Sequence, residues 1–177
     1  MSDVAAFTAW LGAATIVLAD SRRGLAAGLA ILAVGAAGIV WSQGEQGGAI
    51  VLLAGGVLAS ALRFTSGPDG WGLMQPGSTP RLLFVVIVAV VALWVALAAT
   101  SGGSAGFRFA ALTTLVLLGG RLLEAADPVV MPTAVAGVAL VLGMVSGDGI
   151  VPYAVAALVT AGVSAMPVPA ARRPRGT

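Results

Sequence analysis

The sequence has no histidine, no cysteine, no lysine and no asparagine, and all nine of its basic residues are arginine. Each absence removes a chemistry. Without cysteine there is no thiolate to hold an iron–sulfur cluster, no disulfide and no thiol nucleophile. Without histidine there is no imidazole base, no usual haem ligand and no common zinc site. Without lysine there is no Schiff base, which excludes a retinal protein, and no lysine-based proton relay of the kind found in antiporter-like pump subunits. Charge is scarce as well: 9% of residues are charged and only seven are acidic. A metal site would need several of those acids to converge. No cofactor, no metal and no enzymatic activity are therefore expected.

What is present is apolar. Hydrophobic residues make up 59% of the 177, with 25 glycines besides, and the mean hydropathy is +1.04. A soluble domain is roughly 45–50% apolar with glycine included and about 25% charged. A soluble monomer of this length could not hide so much apolar surface. An integral membrane protein is expected, with material for six or seven spans of ~17–20 residues. The net charge of +2 and the high isoelectric point reflect arginines at span ends and in the tail. They read as topology determinants facing anionic headgroups, with no nucleic-acid partner.

Breaks in the apolar pattern divide the chain into spans at residues 4–19, 24–41, 48–62, 82–100, 107–125, 129–146 and 150–166. The third is short and has room to extend into the preceding turn. Residues 64–81 form the longest polar segment, and their Gly, Pro and Ser content signals turns. Asp127-Pro128 breaks the chain because proline disfavours helical geometry in the residue before it. Polar/apolar alternation is absent and the runs far exceed ~10 residues, which excludes a β-barrel. The fold class is all-α: a polytopic transmembrane helix bundle, residues 1–166, followed by a disordered basic cytoplasmic tail at 167–177.

Arginine placement orients the bundle. With the N-terminus outside, eight of the nine arginines fall on inner segments and only Arg108 on an outer one. This positive-inside bias predicts seven spans, N-out and C-in. A six-span version needs the third span to re-enter, or the last two to be one interrupted unit. Merging a pair inverts everything downstream and spoils the arginine distribution. Met1-Ser2-Asp3 lacks the positive region of a cleaved signal peptide. Three spans, a linker span and three more make a 3+1+3 layout, which in some transporters reflects an internal repeat. Ala54-Gly55-Gly56-Val57-Leu58 and Leu118-Gly119-Gly120-Arg121-Leu122 share a Gly-Gly pair and little else.

Candidate functional residues are few. Arg121, Glu124 and Asp127, spaced i, i+3 and i+6 at the inner end of the fifth span, form one intramembrane polar site. Arg121 and Glu124 share a helix face and are placed to pair. The bland reading is an interfacial ion pair with a snorkelling arginine; the sharper ones are a buried acid for proton or cation passage and an ion pair to a neighbouring subunit. Asp20 reads as a helix-end partner of Arg22 and Arg23. Gly24, Gly28, Gly35, Gly55, Gly56, Gly119 and Gly120 read as helix-packing or partner faces, where small residues let backbones approach. The hydroxyls Thr8, Thr15, Ser60, Thr113, Thr114, Thr133, Thr160 and Ser164 are expected to bond their own or a neighbouring backbone. Trp10, Trp41 and Tyr153 fall near outer interfaces, where amphipathic rings sit. Asp69 and Trp71, in a rigid Gly-Pro turn, offer a soluble-side contact.

The expected function is a non-catalytic integral membrane subunit that scaffolds or stabilises a larger complex, energy-transducing ones included. Its partners are the lipid bilayer and other membrane subunits, in a hetero- or homo-oligomer. The alternative is a small-solute or ion transporter with substrate between the two three-helix groups. Arginine in place of lysine, with abundant Ala, Gly and Val, is what a GC-rich genome produces. The expected location is therefore a bacterial cell membrane.

Overall fold

The computed structural model describes residues 2–66, 70–73, 77–99, 104–124, 130–146 and 149–166. It is all-helical, with α1 (Ser2–Leu18), α2 (Arg22–Ser42), α3 (Gln46–Phe64), α4 (Thr79–Ala98), α5 (Ala105–Glu124), α6 (Met131–Val145) and α7 (Ile150–Ser164). Four helices, α2 to α5, are long and apolar enough to cross a membrane; α1, α6 and α7 are apolar but shorter. The expected third span lengthens at both ends, to 19 residues. Helix geometry there depends on backbone bonding, which Gln46 and Arg63 sustain as well as apolar residues do. Proline opens both α4 and α6 within the first two positions, where its missing N–H would have no partner anyway. The tail at 167–177 and the residues around Asp127 lie outside the described residues.

The helices form two rows of three. α1, α2 and α3 lie side by side, as do α5, α6 and α7, and the rows meet with α1 on α5, α2 on α6 and α3 on α7. α4 sits outside, mainly against α5. Packing is set by small residues. Gly12 faces the Leu32 backbone and Gly35 the Ala9 backbone across α1/α2. Gly56 meets Ala33 across α2/α3, Gly55 meets Ala157 across α3/α7, and Gly143 meets Ala156 across α6/α7. Without side chains between them the backbones approach closely, and van der Waals contact holds the helices together. The space between the rows is filled by Ile16, Leu29, Leu32, Leu117, Leu118 and Leu140, all fully buried. The outward faces are apolar too: Val86, Ile87, Val90, Trp94 and Leu97 of α4 are exposed, which suits a lipid surround.

Pair contacts give the helix directions. α3 and α7 are parallel, since Gly48 meets Tyr153 and Arg63 reaches Val163. α1 and α5 are parallel, since Gly106 meets Asp3 and Arg121 reaches Asp20. Chain neighbours are antiparallel, as in Gly12 with Leu32 and Gly35 with Ala9. Consequently Arg22, Arg23, Arg63, Arg81 and Arg121 gather at one end of the bundle, and of the described arginines only Arg108 lies at the other.

Candidate functional site

The basic end carries a charge network that joins three elements. Asp20, in the turn after α1, takes Arg81 Nη1 on both carboxylate oxygens at 2.9 Å. It also takes Arg121 Nη2 on Oδ1. Arg121 donates as well to the Ala19 carbonyl at 3.3 Å. Arg81 Nε lies 3.7 Å from Glu124 Oε2. Two guanidiniums therefore meet two carboxylates, and the start of α4 and the end of α5 are fastened to the end of α1. Charge-assisted bonds to a carboxylate are roughly twice as strong as neutral ones.

This arrangement corrects the expected pairing. Arg121 bonds Asp20 rather than Glu124, because the row-on-row contact sets the end of α1 directly beside it. Asp20 in turn is engaged by Arg81 and Arg121, partners that its position beside Arg22 and Arg23 in the sequence did not suggest. The Arg121 side chain is 3% exposed, while that of Glu124 is 60% exposed. Glu124 is thus a peripheral member, not a buried acid, and Asp127 lies outside the described residues. Glu124→Gln is expected to change the unfolding free energy by less than about 1 kcal/mol, because a solvated, loosely held ion pair contributes little. Thermal unfolding in detergent measures it.

The segment before α4 docks on the same turn. Asp20 N–H donates to the Gly72 carbonyl at 3.1 Å and Arg23 N–H to the Gly70 carbonyl at 3.3 Å. These carbonyls take up amides at the start of α2, where Ser21 makes no side-chain cap. Gly70 (φ 110°) and Gly72 (φ 52°) hold left-handed backbone that a side chain would strain. Gly24 belongs here: a Cβ on it would strike the Trp71 carbonyl and Ala19. It seats this segment and does not serve a helix–helix face. Trp71 is exposed, and Asp69 lies outside the described residues.

The other expected packing glycines divide. Gly28 packs on Ile16 of α1, Gly35 on Ala9, Gly55 on Ala157, Gly56 on Ala33 and Gly120 on the Phe84 ring. Gly119 meets nothing within 4 Å, because one residue of helical rotation turns it away from Phe84. Tyr153 is fully buried against Gly48 and is not an interfacial ring, because α7 turns that face toward α3. Trp41 and Trp94 are exposed, and Trp10 packs at the edge of the core.

Most hydroxyls bond backbone. Thr8, Thr15, Thr113 and Thr114 donate one turn back, Thr160 donates to Ala156 and Ala136, and Ser60 to Ala26. Buried Thr133 and Ser164 have unpartnered hydroxyls. Two shallow apolar grooves open sideways: about 210 Å³ between α2 and α3 beside Trp41, and about 430 Å³ between α6 and α7 beside Val155. Among the described residues no cluster of three or more His, Cys, Asp or Glu could hold a metal. The missed residues include Gly12, Arg81 and the buried Arg63; a lone glycine and arginines at span ends carried no separate signal.

Set against known protein families, curated proteins and solved structures, the chain matches none.

Proposed function

We propose that the chain is a non-catalytic integral membrane subunit that scaffolds or stabilises a larger membrane complex. It crosses a bacterial cell membrane seven times, N-out and C-in, with the basic end toward the cytoplasm. The observation that carries this reading is the interface between the two rows. It is filled with fully buried leucine, isoleucine and alanine, and the neighbouring hydroxyls are mostly committed to backbone carbonyls. Among the described residues, such an interior transmits shape and is mostly apolar. The charge network sits at helix ends, where it fixes α4 against the rows.

The two rows of three joined by α4 are the observation in favour of a small-solute or ion transporter. That reading needs a broken helix or a wet cavity at mid-depth. Each described helix is continuous, which favours the scaffold. The deciding experiment is gentle solubilisation of native membranes followed by identification of co-purifying chains. A stoichiometric membrane partner is expected. A chain that purifies alone, with vesicle uptake lost in Glu124→Gln, overturns the proposal.

A further inference from the structure

Among the described residues, Arg63 is a buried charge with no carboxylate against it. It lies in the last turn of α3 at 1% exposure. Its Nη2 donates to the Val163 carbonyl at 3.2 Å, at the C-terminal end of α7. A cation against the negative end of a helix is favourable, but that bond uses one donor. Nε and Nη1 reach no acceptor, and the Oγ of Ser164, next to Val163 and fully buried, has no partner either. Buried polar groups are nearly always satisfied, and an unpaired buried charge is costly. The described acids do not supply the missing counter-charge. Asp20 is engaged by Arg81 and Arg121, and Glu124 faces Arg81. Asp3 and Glu45 lie at the opposite end of the bundle.

We propose that Arg63 and Ser164, at the joined ends of α3 and α7, form a binding site for a phosphate group. A guanidinium with two unpartnered donor nitrogens, and an unpartnered hydroxyl one residue beyond its carbonyl acceptor, suit the several acceptor oxygens of phosphate. Among the described residues this end carries Arg22, Arg23, Arg63, Arg81 and Arg121 against the carboxylates of Asp20 and Glu124, so the excess positive charge attracts an anion. An anionic leaflet presents phosphate at this depth, where helices leave the hydrocarbon. The ligand is therefore a phospholipid headgroup or free phosphate, and the site stands whether or not the chain has a partner subunit.

The test uses the full-length protein in neutral detergent and phosphate-free buffer. Thermal unfolding is followed with dioctanoyl phosphatidylglycerol, with dioctanoylglycerol and with inorganic phosphate. The unfolding temperature of the wild type is expected to rise with the phospholipid or with inorganic phosphate, which names the source, and not with dioctanoylglycerol. Arg63→Met is expected to fold as stably as the wild type without phosphate, because it removes an unpaired buried charge. Its apparent affinity is expected to fall at least about tenfold, as for loss of bonds from a charged donor. Ser164→Ala is expected to weaken binding less. No rise in the wild type, an equal rise with dioctanoylglycerol, or an unchanged rise in Arg63→Met overturns the site.

Discussion

Replacing Asp20 with alanine is expected to destabilise the bundle by about 2–3 kcal/mol, less than the ~3–5 kcal/mol for one member of a fully buried ion pair because the Asp20 side chain is 24% exposed. The cost falls unevenly on its two partners. The Arg81 side chain is 30% exposed, still faces Glu124, and can turn toward water. Arg121 cannot, since its side chain is 3% exposed and its remaining acceptor is the Ala19 carbonyl. Most of the loss is therefore the burial of an unpaired guanidinium. Two further variants separate this from a simple packing effect. Asp20→Asn keeps an acceptor oxygen without the charge and should fall between alanine and wild type. Adding Arg121→Met to Asp20→Ala removes the stranded charge and should recover part of the loss, so the double-mutant cycle gives a large coupling. Unfolding in detergent by heat or urea measures all of them. A loss below about 0.5 kcal/mol for Asp20→Ala, the range of ordinary surface changes, would sink the idea that this carboxylate fastens the helix ends.

The helices were legible in the sequence because their ends are marked by charge, proline and glycine. The expected span at 82–100 and the helix Thr79–Ala98 differ by only a few residues at each end. The partners of each helix were not legible. Local spacing pairs Arg121 with Glu124 three residues on, whereas the bond made is to Asp20, 101 positions away. That choice is decided by the row-on-row packing, which single-helix periodicity does not encode. Gly119 and Gly120 make the same point at finer scale. They are adjacent and chemically identical, yet one meets Phe84 and the other open space. Arg63 looked like a charge that ends a span. Its burial follows from the stripe of Gly48, Gly55 and Arg63 that turns toward α7, and that stripe acquires meaning only once α3 and α7 are known to be neighbours.

The α1/α2 contact allows a graded test of how close backbone approach holds this fold. Intrinsic propensity favours alanine over glycine inside a helix by about 1 kcal/mol. Gly12→Ala and Gly35→Ala are nevertheless each expected to destabilise by about 3 kcal/mol, at the upper end of the overpacking range. A Cβ at Gly12 would run into the Leu32 backbone and the Gly28 carbonyl, and one at Gly35 into the Ala9 backbone. Main-chain atoms have no rotamer to yield, so the two helices must separate along their length. Gly137→Ala should cost less, about 1 kcal/mol, because its nearest neighbours are the tips of Leu118 and Leu32, which can shift. Gly119→Ala meets nothing within 4 Å and should be neutral or gain the propensity term. The order of the four variants in thermal unfolding carries the argument. If Gly119→Ala costs as much as Gly12→Ala, the penalty comes from something other than backbone contact. If Gly12→Ala is neutral, α1 and α2 do not approach as closely as their glycines allow.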